Sequence, residues 1–359
     1  MALSRKSRLA SLSHVMYTNA VYFPNYCVYN GDTPGQLNYA CINRVYYAYA
    51  SVGADGHVFL HDEWADLHAP CDGFQGALGA LLHMKQKYPH LQVFLSIGGP
   101  GSADIFPLVA SNAVLRDRFA RSAWKFAEAS GLDGIDISWY PANHEQGRDF
   151  LSLLAAIRVY LPEDRYLTAA LPAVKSTLQY IDLRHAAAEY LDTLNLVAYD
   201  FFGAKSSRSG HHAQLYAMRP EEPSVDSAVR YLAACGVPGK KVLVGIPLYG
   251  KSFWGVAGPG HKLRSSGKEM VEVEDVVFEY NQLPRKGTKE QLDKRAVAAQ
   301  CVGGDGGFVT YDNPDSVKIK AGYCKQKGLG GLFYWSAPSD SRDPKRSLIT
   351  TGFKALHSS

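Results

Sequence analysis

The residues best suited to chemistry lie in one run, Asp-Gly-Ile-Asp-Ile-Ser-Trp-Tyr-Pro, which extends from Asp133 to Pro141. If this run is a β-strand, alternation places Asp136, Ser138 and Tyr140 on one face and three large apolar residues on the other. A carboxyl, a hydroxyl and a phenol in a row can orient a polar ligand or exchange protons with it. Isolated carboxyl groups are costly to bury, so an inward row of this kind predicts a functional site. The alternative is that Asp136 only completes a buried hydrogen-bond network.

The elements that must position this row are predicted from short runs rich in β-branched and aromatic residues, which recur between segments with helical periodicity. Eight such runs are predicted as strands: 20–23, 44–51, 92–97, 134–139, 166–171, 193–199, 241–247 and 331–335. Strands that alternate with helices indicate a parallel sheet, and eight of them predict a (β/α)8 barrel of the α/β class. In such a barrel the functional residues lie at the C-terminal ends of the strands.

Two helices between these strands have clear end signals. Ser111 is predicted to cap a helix that ends at Gly131, and a second helix is predicted to follow Asn143 and to end before Pro162. Both helices carry apolar residues on one face, as expected for helices that pack on a barrel.

The segment between the seventh and eighth strands is far longer than the ~30 residues of one βα unit. It contains alternating stretches, Met-Val-Glu-Val-Glu-Asp-Val-Val-Phe-Glu-Tyr and Gly-Gly-Phe-Val-Thr-Tyr-Asp, which predict a small α+β insertion. We therefore predict a basic N-terminal tail over 1–18, a barrel over 19–251 and 326–359, and the insertion subdomain over 252–325.

Composition excludes several other classes of protein. The chain has 359 residues, 46% of them hydrophobic and 20% charged, which is typical of a folded globular protein. A net charge of +4 from dispersed residues gives no electrostatic footprint for nucleic acid. No apolar run approaches the roughly 20 residues needed to cross a bilayer, so we expect no membrane partner.

Cysteine and histidine usage predicts neither a metal site nor a cofactor. The six cysteines are scattered without a Cys-x-x-Cys pair, and His211-His212 is predicted to lie on the surface of the loop after the sixth strand. No secretory signal and no Asn-x-Ser/Thr acceptor site is recognisable, which favours a cytoplasmic location unless a signal was removed.

At these motifs the sequence resembles glycoside hydrolase family 18, the chitinase family, and it is most similar to the fungal members. The fourth strand resembles the family pattern Asp-Gly-x-Asp-x-Asp-x-Glu. Further matches follow in the expected order along the chain: Ser96-Ile97-Gly98-Gly99, Val197-Ala198-Tyr199-Asp200-Phe201, Gly245-Ile246-Pro247-Leu248-Tyr249-Gly250, Tyr311-Asp312-Asn313-Pro314, and Gly328 through Trp335.

The resemblance implies substrate-assisted hydrolysis, in which the glutamate of the motif protonates the glycosidic oxygen while the N-acetyl group of the sugar attacks the anomeric carbon. The aspartate two residues earlier would orient the acetamido group and stabilise the cationic intermediate. The matching positions in this sequence are Tyr140 and Ser138, within a degenerate motif formed by Asp133, Asp136, Ser138 and Tyr140. Tyrosine ionises near a pKa of ~10 and glutamate near ~4.3, so we predict negligible chitinase activity.

The resemblance also implies that part of the sugar-holding pocket is retained. Trp335 matches the indole at the floor of the central subsite, and Tyr199 with Asp200 matches the pair that hydrogen-bonds the acetamido group and a hydroxyl. Pro100 stands where the family has a sugar-stacking tryptophan. The candidate ligand-binding residues are Tyr22, Tyr49, Gly98, Gly99, Pro100, Tyr199, Asp200, Tyr249 and Trp335.

Two classes of function follow from these residues. The first is a non-catalytic chitinase-like protein that binds a chitooligosaccharide or a related glycan. The second is a repurposed intracellular enzyme, such as a cyclase or isomerase of a biosynthetic pathway, that transforms a small molecule in the same pocket. Retention of Tyr199, Asp200 and Trp335 favours the binding protein, whereas the missing secretion signal and the lost tryptophan platform favour the repurposed enzyme.

Overall fold

The computed structural model describes residues 16–263 and 275–358, and its centre is a closed barrel of parallel strands. Each strand pairs in parallel with the next, and β1 pairs with both β2 and β8, which closes the sheet. The predicted (β/α)8 barrel is confirmed. Its strands are β1 (Thr18–Pro24), β2 (Arg44–Val52), β3 (Gln92–Gly98), β4 (Gly134–Ser138), β5 (Tyr166–Pro172), β6 (Thr193–Val197), β7 (Val242–Pro247) and β8 (Gly331–Trp335).

Helices surround the barrel and cover its outer face. They are Ala77–Lys87, Ile105–Ser111, Ala113–Ala129, His144–Tyr160, Lys175–Leu178, Leu183–His185, Val225–Ala234, Pro314–Gln326 and Leu348–His357. Asn143 caps the helix after β4 by accepting a hydrogen bond from the Gln146 amide, as the sequence predicts. The predicted cap at Ser111 is wrong. Ser111 ends the preceding helix, and Asn112 caps the helix Ala113–Ala129 instead.

The barrel separates two apolar regions. Outward-facing strand residues such as Ile135, Ile137 and Trp139 pack against the helices in the main core. Inside the barrel, a smaller cluster of aromatic residues fills the lower part of the lumen. The Arg44 guanidinium lies 4.6 Å from the ring centroid of Phe94 in this region. Side chains therefore fill this part of the lumen, and any ligand must bind at the rim formed by the C-terminal ends of the strands.

The insertion forms a five-stranded antiparallel sheet between β7 and β8. Its strands are Tyr249–Phe253, Val276–Glu279, Gln291–Asp293, Ala298–Val302 and Phe308–Tyr311. The sheet starts directly after β7, so it includes Tyr249 to Lys251, which the sequence assigns to the barrel. The helix Pro314–Gln326 packs against Leu348–His357 and therefore belongs to the outer ring of helices.

Parts of two sequence predictions lie outside the described residues. They are positions 1–15 of the predicted tail and positions 270–274 of the first alternating stretch of the insertion. None of the helices formed by residues 16–263 and 275–358 has the length and apolar character needed to cross a membrane.

Candidate functional site

Asp136 lies at the centre of the barrel, where four strands supply its partners. Its Oδ2 accepts hydrogen bonds from the hydroxyls of Tyr22 (2.9 Å) and Ser96 (2.7 Å), and its Oδ1 accepts one from Thr168 (2.6 Å) and a long one from the Asn195 amide (3.5 Å). Asp136 has no exposed surface, and burial raises the pKa of its carboxyl although these hydroxyl donors lower it. Asp136 therefore completes a buried hydrogen-bond network, the alternative that the sequence left open.

Ser138 and Tyr140 lie above Asp136, at the end of β4 and just beyond it. The Ser138 residue is 6% exposed, whereas Tyr140 is 45% exposed. Burial and the charge of Asp136 nevertheless raise the pKa of Tyr140 to about 12, and hydrogen bonding to Ser138 opposes them. A ring that is open to solvent yet surrounded by protein lies in a concave cleft. Tyr140 therefore stands in the mouth of the barrel as a weakly acidic phenol.

An aromatic wall faces this mouth. Trp335 ends β8, and its ring stacks on that of Tyr49, with centroids 5.7 Å apart and planes at 25°. The ring of Tyr22 packs against the same indole from below, at 5.5 Å and 53°. Tyr22 is only 2% exposed and bonds to Asp136 and Asn195, so it supports the wall and offers no surface to a ligand.

The close approach of this wall to β3 depends on two glycines. Gly98 and Gly99 have φ values of +124° and +81°. A Cβ on Gly98 would lie 2.2 Å from the Ser138 carbonyl oxygen, and one on Gly99 would lie 2.7 Å from the ring of Tyr49. Gly98 therefore lets β3 approach the end of β4, and Gly99 lets the backbone pass close to Tyr49, both in a conformation that favours glycine.

We expect Gly99→Ala to displace Tyr49 from Trp335, because the new methyl group would overlap the ring and the residue would keep a positive φ. Overlap and strain of this kind cost about 1–3 kcal/mol each. Near-ultraviolet circular dichroism should report the changed aromatic packing, and urea unfolding should report the loss of stability. Gly101→Ala is the matched control, since its methyl group would meet nothing within 4 Å. Equal effects of the two substitutions would refute this role for Gly99.

Asp200 is a half-exposed carboxylate that lines the site. It follows β6 with a φ of +62°, and its Oδ1 accepts a hydrogen bond from the Tyr249 hydroxyl at 2.7 Å and pairs with Lys251 Nζ at 2.8 Å. Burial would raise the pKa of this carboxyl, but His212 and Lys251 outweigh burial and hold the pKa well below its usual range. Asp200 is therefore ionised at neutral pH and accepts hydrogen bonds.

Lys251 joins the insertion sheet to the barrel. Its ammonium group pairs with Asp200 and also with Asp275, whose other oxygen accepts the Ala204 amide. Burial would lower the pKa of Lys251, but the two carboxylates raise it. The insertion thus supplies the cation that holds Asp200.

The prediction that His211 and His212 lie on the surface is wrong. Both side chains have no exposed surface. His211 Nδ1 lies 2.8 Å from Thr310 Oγ1 of the insertion sheet, and His212 Nδ1 lies 3.7 Å from Asp200 Oδ1. Sequence reasoning missed both because it treated the loop after β6 as solvent-exposed, although the insertion covers that loop. The position of His212 twelve residues after Asp200 gives no signal of their contact.

A cavity of about 340 Å³ opens between Trp335 and the insertion sheet. Tyr26, Asp200, Tyr249, Lys251, Trp335 and Ser336 are among its lining residues. It combines an aromatic face with groups that donate and accept hydrogen bonds, as sites for small polar ligands do. Tyr199 adjoins it, with its ring 6.1 Å from that of Tyr249.

The structure brings most of the predicted residues together, but it separates Asp133 from them. Asp133 precedes β4 at the opposite end of the strand, where it pairs with Lys85 at 2.9 Å and accepts the Val93 amide. Its role there is to join β4 to β3 and to the helix Ala77–Lys87. Pro100 begins a single turn of 3-10 helix beyond β3 and is exposed.

Across the part of the chain that the structure describes, no three histidine, cysteine or carboxylate side chains are grouped as metal ligands would be. The absence of a metal and of a cofactor remains a prediction.

Together, the closed barrel and the polar, aromatic-walled cavity at the C-terminal ends of its strands define a (β/α)8 barrel with a candidate site at the end where such barrels carry their functional residues. The model of glycosyl hydrolases family 18 matches residues 18–340, and the chain therefore belongs to that family.

Curated relatives and solved structures agree with this membership. Endochitinase 1 of Metarhizium robertsii is 34% identical over 369 residues, which cover 95% of this chain and 85% of the relative. Chitinase 1 of Aphanocladium album is 33% identical, with 95% and 86% covered. The structure of a chitinase from Cycas revoluta in complex with (GlcNAc)3 is 25% identical, has a TM-score of 0.79, and covers 94% of this chain and 98% of that one.

Proposed function

We propose that this chain binds a chitooligosaccharide, or a related glycan that contains N-acetylglucosamine, in the barrel-mouth cavity without hydrolysing it. The observation that carries the proposal is the placement of Tyr140 and Ser138 in the mouth of the barrel, at positions that the sequence resemblance matches to a glutamate and an aspartate. The relatives are named as chitinases, and one solved relative holds (GlcNAc)3. These names support the ligand class but not the reaction.

The protonation states of Tyr140 and of the carboxyl groups near it support binding without hydrolysis. A general acid must carry a proton at working pH and give it up readily, so its pKa should lie near that pH. The phenol of Tyr140 has a pKa of about 12 and holds its proton too strongly. The carboxyls whose charges reach it are Asp136, which is enclosed by its own donors, and Asp200, which is ionised. Neither can deliver a proton to a glycosidic oxygen in the cleft.

The groups that would hold a sugar remain in place. Trp335 offers an aromatic surface to the cavity, and the hydroxyl of Tyr249 and the carboxylate of Asp200 are fixed beside it. Aromatic faces pack against the apolar faces of pyranose rings, while fixed polar groups select the orientation of the hydroxyls. The repurposed enzyme has less support, because Tyr140, the phenol in the mouth of the barrel, holds its proton too strongly for acid catalysis near neutral pH.

Isothermal titration of the full chain with chitopentaose tests the proposal. We expect saturable binding, and we expect Trp335→Ala to weaken it about tenfold or more, as the loss of one aromatic stacking surface does elsewhere. Trp254→Ala is the matched control, because Trp254 is 58% exposed and does not line the cavity. Absence of binding by the unmodified chain, or an equal loss in both variants, would contradict the proposal.

A further inference from the structure

His212 is a buried polar side chain whose hydrogen bonds are unsatisfied. Its ring has no exposed surface, and neither Nδ1 nor Nε2 has a hydrogen-bond partner among the residues described. A buried polar group left without a partner is costly, so such a group in a native structure calls for an explanation. The loop that carries it is fixed from behind, because the Lys320 ammonium donates to the Ala213 carbonyl at 2.6 Å.

The ring of His212 is directed at the same oxygen that Tyr249 and Lys251 hold. Its Nδ1 lies 3.7 Å from Asp200 Oδ1, beyond hydrogen-bond distance but within reach of a small rotation of the carboxylate. The tilted ring of Tyr249 packs against it with centroids 5.2 Å apart. His212 therefore acts on the cavity through residues that line it, including Asp200 and Tyr249.

We propose that His212 is a positioning residue that acts on the bound glycan through Asp200, and that protonation of its ring weakens glycan binding. This inference rests on the proposed function. In the neutral state, Tyr249 and Lys251 hold Asp200 Oδ1, and the half-exposed carboxylate lines the cavity. A protonated ring is a charged donor, and closing the gap of 3.7 Å to Oδ1 would turn the carboxylate toward the interior, away from the ligand.

The imidazole of His212 is a group that can change charge between neutral and mildly acidic pH. Burial and Lys251 lower the pKa of His212 from its ordinary value of 6.5, although Asp200 opposes them. The pKa of Asp200 is held well below its usual range, and those of Lys251 and Tyr249 are raised. The remaining charge nearby, Asp312, is paired with Lys320 at 2.6 Å.

The affinity for chitopentaose, measured at constant ionic strength from about pH 7.5 to about pH 5, tests this role, because a histidine whose pKa is lowered by burial gains its proton toward the acidic end of this range. Chitopentaose itself carries no group that titrates in this range. We expect the affinity of the unmodified chain to fall by about fivefold or more at the acidic end, a typical size for coupling between two sites. His212→Gln should lose the fall, so that its affinities at the two ends of the range become equal, because glutamine is polar but does not titrate.

His61→Gln is the matched control, because His61 is an exposed histidine in the loop after β2 and should leave the fall unchanged. An identical fall in His212→Gln would overturn the inference.

A second readout needs no ligand. The imidazole resonance of His212 should report a pKa below ~6.5, and this pKa should fall further in Asp200→Asn, where the opposing charge is removed. If the pKa read from that resonance is the same in Asp200→Asn as in the unmodified chain, the inference fails even when binding is observed. If chitopentaose does not bind at any pH, the proposed function fails instead.

Discussion

A chain carrying Ser138→Asp together with Tyr140→Glu is expected to hydrolyse chitopentaose, whereas the unmodified chain is not. The double substitution would place carboxylates at positions 138 and 140, where the family pattern has them, at the end of β4 and just beyond it. General acid catalysis contributes about 10²–10⁴ in rate, so the gain over the unmodified chain should be at least of this order. Release of shorter oligomers, followed by mass spectrometry, measures it.

The structure gives two reasons to expect this gain. Tyr140 is 45% exposed in the cleft, so glutamate can replace it without disturbing a packed core. Burial raises the pKa of the phenol at this position, and the same environment should raise that of a carboxyl toward neutral pH, where it can act as an acid.

Controls separate acid catalysis from a general change in the cleft. Tyr140→Glu alone should hydrolyse chitopentaose much more slowly than the double variant, because the cationic intermediate would lack a stabilising carboxylate at position 138. Tyr140→Phe should remain inactive. A double variant that binds chitopentaose but releases no product would show that the cavity does not hold the sugar as the family does.

Removal of one buried charge should have the largest effect on stability. Lys320 and Asp312 pair at 2.6 Å, with side chains 1% and 0% exposed, and Asp312 also accepts the Ser316 hydroxyl. Lys320→Met keeps the length of the side chain but leaves Asp312 charged and the Ala213 carbonyl without its donor. Breaking a buried ion pair from one side costs about 3–5 kcal/mol, so urea unfolding at neutral pH should show a loss of this size.

An exposed ion pair on the same helix, Pro314–Gln326, serves as the comparison for the buried pair. Lys318 pairs with Asp315 at 3.5 Å, and both side chains are more than 60% exposed. Pairs of this kind contribute about 0–1 kcal/mol, so Lys318→Met should be nearly neutral. Similar losses in the two variants would mean that the burial of the Lys320 pair does not determine its contribution.

Much of the barrel could be predicted from local patterns. The predicted bounds of β8 match the structure, and those of the other seven strands differ by one or two residues at one or both ends. The sequence pattern predicts that β6 extends to Tyr199, but the strand ends at Val197 and Asp200 adopts a positive φ. The cap at Asn112 was missed because Ser111 is an equally good cap in isolation, and only the preceding helix Ile105–Ser111 decides between them.

The site could be predicted only where one strand or one motif defines it. Alternation along β4 placed Asp136 in the lumen, and the structure confirms that placement. Alternation could not show that Asp136 is enclosed by Ser96, Thr168 and Asn195, because these partners come from other strands. The contacts of Asp200 with His212 and Asp275 depend on how the insertion folds over the loop after β6, and no local pattern encodes that arrangement.

Native mass spectrometry of the full chain mixed with chitopentaose can follow binding and hydrolysis in a single time course. We expect one pentasaccharide of intact mass to stay bound to the protein, with no shorter oligomers above the level of a protein-free control or of Tyr140→Phe. Accumulation of di- and trisaccharides faster than in both controls would contradict binding without hydrolysis.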